Sequence, residues 1–330
     1  MIAPVTATSL LSGADSLSGA DSQSAASPVF KKLAICALLQ FLSLLALSGQ
    51  ELQPRAYMPV PVGLNFFGIS YSGNSGGLLF DPSLPIEDAH VNASVATVSF
   101  GQALDVFGRS GQVLAVLPYV VADVSGKLAG IASARHRSGL ADSTFRFAAN
   151  VYGAPAMHIQ EFSKYHPKTL VGLSLTVMAP TGQYDPNVLI NIGANRWAFK
   201  PELGISRFQG KWEFEAAVGA WLYTRNSNFY GGAFRTQDPL GSIQGHVVRI
   251  LPYRMWLALD GTFYTGGRSY VGNTIHADYQ GNMRFGATLG IALSRRQALR
   301  FAYFDGAATR VGSDISSFSV AYQVIWQKGK

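Results

Sequence analysis

Residues 196–222 read RWAFKPELGISRFQGKWEFEAAVGAWL, and apolar and polar side chains exchange at nearly every second position along them. Trp197, Phe199, Leu203 and Ile205 stand against Arg196, Lys200, Glu202 and Ser206. Beyond the FQG turn at 208–210, Trp212, Phe214, Ala216, Val218 and Leu222 stand against Lys211, Glu213, Glu215 and Gly219. Period two is the strand period, because successive side chains leave a strand on opposite faces. One face here is apolar and aromatic, and the other carries charge and small residues. A soluble sandwich turns its apolar face inward. A transmembrane barrel turns it outward to lipid and keeps the charge in a wet lumen.

The pattern recurs along the chain. Alternation and turn residues predict twelve strands at 64–72, 90–105, 111–122, 143–152, 169–179, 197–207, 211–223, 241–251, 255–265, 281–293, 298–305 and 316–326. Short connections fall at 107–111, 208–210, 251–254 and 294–297. Long ones fall at 73–89, 123–142, 180–196, 224–240, 266–280 and 306–315. The segment 153–168 breaks the rule, being long where a short turn is expected, and its HIQEFSKYHPK has the character of a short amphipathic helix. Short turns on one rim, long loops on the other and an even strand count predict a transmembrane antiparallel β-barrel with short periplasmic turns and long extracellular loops. A soluble sandwich has no reason to sort its loops this way.

Composition agrees. Of 330 residues only 14% are charged, 12% are aromatic and 35 are glycine, against about 25% charge in ordinary soluble domains. Mean hydropathy is only +0.16, too low for several apolar helices of about 20 residues. The net charge of +7 comes without a basic block, so nucleic-acid binding has no support. Leu33 to Leu47 is the one long apolar run. It follows Lys31 and Lys32 and closes on Ala46-Leu47-Ser48, the pattern of a secretory signal peptide over 31–48. Residues 1–30, which nearly repeat SGADS, are expected to be a disordered leader ahead of the true start codon. The only cysteine, Cys36, lies inside the signal, so the exported chain is expected to carry no thiol chemistry. Segment 49–63 is then either a periplasmic extension or a plug, since LQPRAYMPVP (52–61) is rich enough in proline to lie extended. The barrel is expected over 64–326, with a short tail at 327–330.

The two faces separate cleanly. Outward positions include Phe145, Phe147, Val151, Leu173, Leu175, Leu257, Leu259, Phe263, Phe285, Leu289, Ile291, Val320 and Trp326. Inward, lumen-lining positions include Arg146, Asn150, Lys200, Glu202, Glu213, Glu215, Asp260, Asn282, Arg284 and Arg300, with Gly204, Gly219, Gly286 and Gly290 leaving room between them. An Arg or Lys at mid-bilayer facing lipid costs roughly 2–4 kcal/mol, so the charged face must be the lumen. The strand at 111–122 is apolar on both faces and gives weak register.

The loops resemble the outer-membrane family named for the meta-pathway of phenol degradation, a family often called transporters. The resemblance rests on ELQPRAYMPVPVGLNFF (51–67), FDPSLPIED (80–88), SGLADSTFRFAANVYGAPAM (138–157), APTGQYDPNVLINIGANRWAFKPELGIS (179–206), QDPLGSIQGHVVRI (237–250) and DGTFYTGG (260–267). Two departures stand out. The family's GLGD reads GLAD at 139–142, and the chain runs past Trp326 to Lys330 instead of ending on an aromatic. The resemblance implies an outer-membrane barrel and a cargo connected with aromatic degradation.

No motif signals catalysis. The six histidines, His90, His136, His158, His166, His246 and His276, form no close ligand pair, and no metal or other cofactor is expected. No phosphate loop or dinucleotide fingerprint occurs. Glu213 and Glu215 share one strand face about 7 Å apart. They are read as lumen charges balanced by Arg146, Arg284 or Arg300 and not as an acid–base pair. GQYDP (182–186) and the Asn-rich 191–195 sit in an outer loop, where they either line an entry site or serve as turn chemistry, and the turn is preferred. The loop at 224–240, with Phe229, Tyr230 and Phe234, is the candidate contact surface for a small aromatic ligand. Three functions remain. A passive channel for small hydrophobic or aromatic compounds is preferred, a non-transporting barrel of structural or surface-interaction role is the alternative, and a barrel enzyme lacks an assembled site. The expected partners are membrane lipid, the aromatic solute and the outer-membrane assembly machinery. Oligomeric state is left open.

Overall fold

The computed structural model describes residues 53–79, 86–128, 131–188, 190–272, 274–275, 278–309 and 312–327. The leader, the signal peptide, His276 and residues 328–330 of the expected tail lie outside the described residues. The barrel is built from β1 (Leu64–Leu79), β2 (Ile86–Val106), β3 (Arg109–Leu128), β4 (Ile131–Leu140), β5 (Ser143–Tyr152), β6 (Thr169–Ala179), β7 (Ala198–Gln209), β8 (Trp212–Tyr223), β10 (Leu240–Leu251), β11 (Met255–Gly266), β14 (Gln280–Ala292), β15 (Gln297–Ala308) and β16 (Gly312–Gln327). Each pairs antiparallel with its neighbours, and β1 pairs with both β2 and β16, which closes the ring. β4 and β5 both pair with β3, one above the other, and form a single stave interrupted at Ala141–Asp142, so the closed barrel has twelve staves. A small ribbon of β9 (Arg235–Gln237), β12 (Ser269–Val271) and β13 (Thr274–Ile275) stands apart in the long loops.

The faces follow the alternation. Phe145, Phe147, Leu173, Leu175, Leu257, Leu259, Phe263 and Phe285 are exposed on the outside. Lys200, Glu213, Asp260, Asn282 and Arg300 are buried within. Stacked aromatic pairs mark both ends of the apolar band: Trp197 with Phe199 where β7 begins and Trp212 with Phe214 where β8 begins, at centroid distances of 6.3 and 6.4 Å. These are strand ends on opposite rims, where amphipathic rings suit the membrane interface.

Two expectations about the long connections need correction, and a third, about 153–168, holds. The connections at 73–89 and 123–142 are largely strand, because β1, β2, β3 and β4 continue well past the apolar band. Alternation fades there since both faces meet water. The loops at 224–240, 266–280 and 306–315 likewise contain strand, including β9, β12 and β13. The long segment 153–168 does hold a short helix, α1 (Ile159–Phe162), in which the Glu161 carboxylate accepts a hydrogen bond from the His158 amide at 2.9 Å.

The apolar inner face of β3 also finds its reason. Leu114 and Val116 pack inside the barrel in one cluster with Val60, Leu64, Phe66, Met157 and Phe162. Part of the periplasmic half of the lumen is therefore dry, and an inward leucine there is a core residue.

Leu259 lies mid-strand on the outer face with 62% of its surface exposed. Leu259→Arg is expected to lower unfolding free energy by roughly 2–4 kcal/mol in urea titrations of protein refolded into lipid bilayers. A wild-type stability would place Leu259 outside the lipid.

Candidate functional site

The lumen is occupied by the chain's own segment 53–63. Gly63 turns the chain at positive φ just before β1 and sends it back up the barrel, where the Gly63 amide bonds to the Ala103 carbonyl. Val62 bonds to the Met157 carbonyl at 2.9 Å, so the odd 153–168 connection serves as the base of this strap.

Tyr57 and Arg55 hold the strap to the wall. The Tyr57 hydroxyl donates to Glu202 Oε1 at 2.9 Å and lies 3.1 Å from Ser174 Oγ. Asn150 and Gln112 donate to the strap carbonyls of Tyr57 and Ala56, each at 3.0 Å. The Tyr57 ring rests on Gly172 and Gly204, which face each other across β6 and β7. A Cβ on either would come within 2.0 or 2.1 Å of ring carbons, so only glycine permits the seat. The Arg146 guanidinium stacks over the same ring at 5.3 Å. Arg55 lies 3.1 Å from Glu213 Oε2, its backbone amide donates to Glu215, and its guanidinium is 5.6 Å from the Trp256 ring.

This arrangement corrects the charge balance expected for Glu213 and Glu215. Their positive partner is Arg55 of the strap, not Arg146, Arg284 or Arg300. The glycines kept as free space are likewise filled in part. Besides Tyr57 against Gly204, Trp256 lies against Gly290 and Phe304 against Gly286.

The other inward charges line the lumen as a belt of separate local groups. Lys200 Nζ lies 2.7 Å from Glu202 Oε2, which also accepts from Gln244 at 2.9 Å. His246 stands in register between Glu215 on β8 and Asp260 on β11. Its Nδ1 is 2.7 Å from Asp260 Oδ1, and Thr288 donates to the other Asp260 oxygen at 2.8 Å. Arg284 donates to the Ile315 carbonyl at 2.6 Å, and Arg300 is buried within the field of Asp260. Among the described residues no group of three His, Cys, Asp or Glu side chains is placed to hold a metal. A cavity of about 20 Å³, room for about one water, remains among Tyr57, Arg146, Glu202, Glu215 and His246.

A larger cavity of about 220 Å³ lies on the extracellular side, between the loops 180–197 and 224–239. Asp142, at the break between β4 and β5, pins the first loop by accepting from the amides of Gly182 and Ala194, each at 2.8 Å. Asn226 pins the second. It donates to the Tyr184 hydroxyl, and its Oδ1 accepts from Asn195 and from the Asn228 amide, all at 3.0 Å. Of the three loop aromatics, Phe229 lines the cavity. Tyr230 is exposed, and Phe234 packs under Arg225 at 3.9 Å. Tyr184 and Asn191, for which the turn was preferred to the entry-site reading, line it too. Arg196 and Arg235, which sequence reasoning did not single out, complete it. Burial, then the neighbouring Arg235, pulls the Arg196 guanidinium down to about 10.

A profile of the family described as the MetA-pathway of phenol degradation matches residues 84–304. The chain belongs to this family. Among solved structures, an outer membrane channel from Pseudomonas putida F1 is 20% identical, superposes over 84% of this chain and 100% of its own, and gives a TM-score of 0.72. At that identity the likeness establishes the barrel fold alone. The transport unit of the autotransporter AIDA-I from Escherichia coli is 8% identical over 89% of this chain and 98% of its own, with a TM-score of 0.45, too distant to bear on this protein. No curated protein matches the sequence.

The glycine seat offers a direct check. Gly172→Ala or Gly204→Ala must lift the Tyr57 ring, an overpacking of about 1–3 kcal/mol. Trypsin cleavage after Arg55 in the folded, micelle-bound protein is expected to quicken by about tenfold or more. Gly245→Ala, where a Cβ meets nothing nearer than 3.8 Å, is expected to leave the rate unchanged. Equal rates in all variants would show that the strap is not held by this seat.

Proposed function

We propose that this protein is an outer-membrane channel that passively admits small hydrophobic or aromatic compounds. The observation that carries the reading is the nature of the obstruction. The polar lumen is filled across its periplasmic half by a strap that belongs to no stave and hangs on side-chain contacts at Arg55 and Tyr57. A barrel meant only as a wall could be filled by its staves, as small barrels are. The family's connection with phenol degradation and the P. putida relative's description as a channel support the same reading. Passage would be diffusive, with no cofactor, selected by lumen width and by the charge belt of Arg146, Lys200, Glu202, Glu213, Glu215, Asp260, Arg284 and Arg300. Phe229 supplies the aromatic contact at the outer mouth. Export by the 31–48 signal and insertion by the outer-membrane assembly machinery belong to the proposal, as does residence in the outer membrane.

We read the protein as non-enzymatic. His246 and Asp260 form a pair, but among the described residues no hydroxyl bonds to the other imidazole nitrogen, and Ser206 donates to Glu215 instead at 2.9 Å. The second reading is a sealed, non-transporting barrel. The burial of the strap and its ion pair favours it.

Planar-bilayer conductance separates the two. The refolded protein is expected to conduct, to conduct less with an aromatic solute present, and to conduct more when Arg55→Ala and Tyr57→Ala are combined. A folded barrel silent both as wild type and as the double variant would establish the sealed reading.

A further inference from the structure

Two guanidinium groups, Arg196 and Arg235, converge on the outer cavity, and among the described residues neither forms an ion pair with a carboxylate. Like charges sharing a partly buried space repel, and the carboxylates of Asp142 and Asp278 act on Arg196 and Arg235 only from a distance, so the lost hydration is recovered in part. Arg196 is held in place on both sides. Its guanidinium stacks on Tyr223 at 4.3 Å, and Nη2 donates to Gln237, while Nη1 is buried with no hydrogen-bond partner. Arg235 lies 5.6 Å from the ring of Phe229, which forms the aromatic wall.

The neutral polar groups of the wall are already committed to the loops. Asn191 donates to the carbonyls of Asp185 and Val188, and its Oδ1 accepts from the Asp185 amide. The Tyr184 hydroxyl donates to the Asn228 carbonyl, and Asn226 uses both ends of its amide within the loops. What the cavity has left to offer a ligand is cationic donors and the apolar surface of Phe229, Tyr184 and Ile192. A sugar would need acceptors as well as donors. An uncharged arene would leave both arginines unpaired. A small inorganic ion would use the charge but not Phe229, nor the 220 Å³ of space.

We propose that this cavity binds the anion of a single-ring aromatic carboxylic acid, with its carboxylate between Arg196 and Arg235 and its ring against Phe229. Guanidinium–carboxylate bonds are charge-assisted and directional, and they supply the missing partner for both arginines. The inference rests on the channel reading and narrows it, making the outer mouth selective for aromatic acids over neutral arenes.

The test is calorimetric titration of the refolded full chain in detergent with benzoate, benzamide and sulfate. Benzoate is expected to bind at least about tenfold more tightly than benzamide. Arg196→Gln is expected to remove that advantage, and Phe229→Ala to weaken benzoate but not sulfate. Heat-modified gel mobility checks that each variant is folded; should Arg196→Gln fail it, Arg235→Gln and the wild-type ligand comparison decide. Equal affinity for benzoate and benzamide, sulfate binding as tightly as benzoate, or benzoate affinity untouched by the arginine substitutions would each overturn the proposal. Toluene flux into liposomes bearing the same preparation keeps the two readings apart. Flux without benzoate preference removes the site and leaves the channel. Benzoate preference without flux keeps the site and removes the channel.

Discussion

A strand in lipid cannot leave its backbone amides and carbonyls unpaired, since each such group costs several kcal/mol with no water to accept it. The pairing of β1 with both β2 and β16 answers that constraint, because it leaves the sheet no edge. Everything else follows from closure. Alternation now sorts every stave into a lipid face and a lumen face. Charge can be placed only inward, and the chain must do something with a polar interior that twelve staves enclose but do not fill.

The protein fills that interior in layers. At the periplasmic end an apolar cluster of Val60, Leu64, Phe66, Leu114, Met157 and Phe162 joins the strap, the staves and the 153–168 connection into one dry core. Above it lie the ions. Lys200, Glu213 and Arg300 are at most 2% exposed, and buried charges of this kind are tolerable only when paired or hydrogen-bonded. Glu202 shows how the pairing is shared: it binds Lys200 and Gln244 through one oxygen and Tyr57 through the other. A carboxylate that neutralises a wall lysine therefore also grips the strap. Near the outer end a second apolar cluster, Ala198, Trp221, Leu240 and Tyr264, packs with Tyr223, on which Arg196 stacks.

The staves were legible in the sequence wherever one face met lipid and the other met the lumen, as in WEFEAAVGAWL. Legibility failed for three physical reasons. Beyond the apolar band both faces of β1 to β4 are wet, so SGNSGG (72–77) reads as a loop although it is strand. Within the dry core both faces of β3 are apolar, so its register was weak until the strap supplied the inner partner. Contacts from outside the repeat leave no periodic trace at all. Arg55 lies in an irregular segment, and nothing in the spacing of Glu213 and Glu215 says that their counter-charge precedes the first stave. The same holds for Asp142. GLAD was recognisable only as a family string, and its aspartate acquires a reason when both oxygens are seen to hold loop 180–197. Arg196 was noted only as one polar member of an alternating row, and its cavity forms when that loop meets 224–239.

One stave joins the two halves of the molecule. Along the inner face of β7, and just before it, Arg196, Ala198, Lys200, Glu202, Gly204 and Ser206 follow one another at strand period. The first belongs to the outer cavity, the second to the apolar cluster beneath it, the next two to the ion pair, the fifth to the Tyr57 seat, and the last to the hydrogen bond with Glu215. A rigid stave with alternate residues committed at every level gives a short physical connection between what occupies the mouth and what holds the strap. The opposite face of the same stave, with Phe199, Leu203 and Ile205, is committed to lipid, so the strand cannot slip by one residue without exchanging a charged face for an apolar one. The repeat that makes this segment decisive for the fold is thus also what fixes the outer arginine and the glycine seat at a set separation within the lumen.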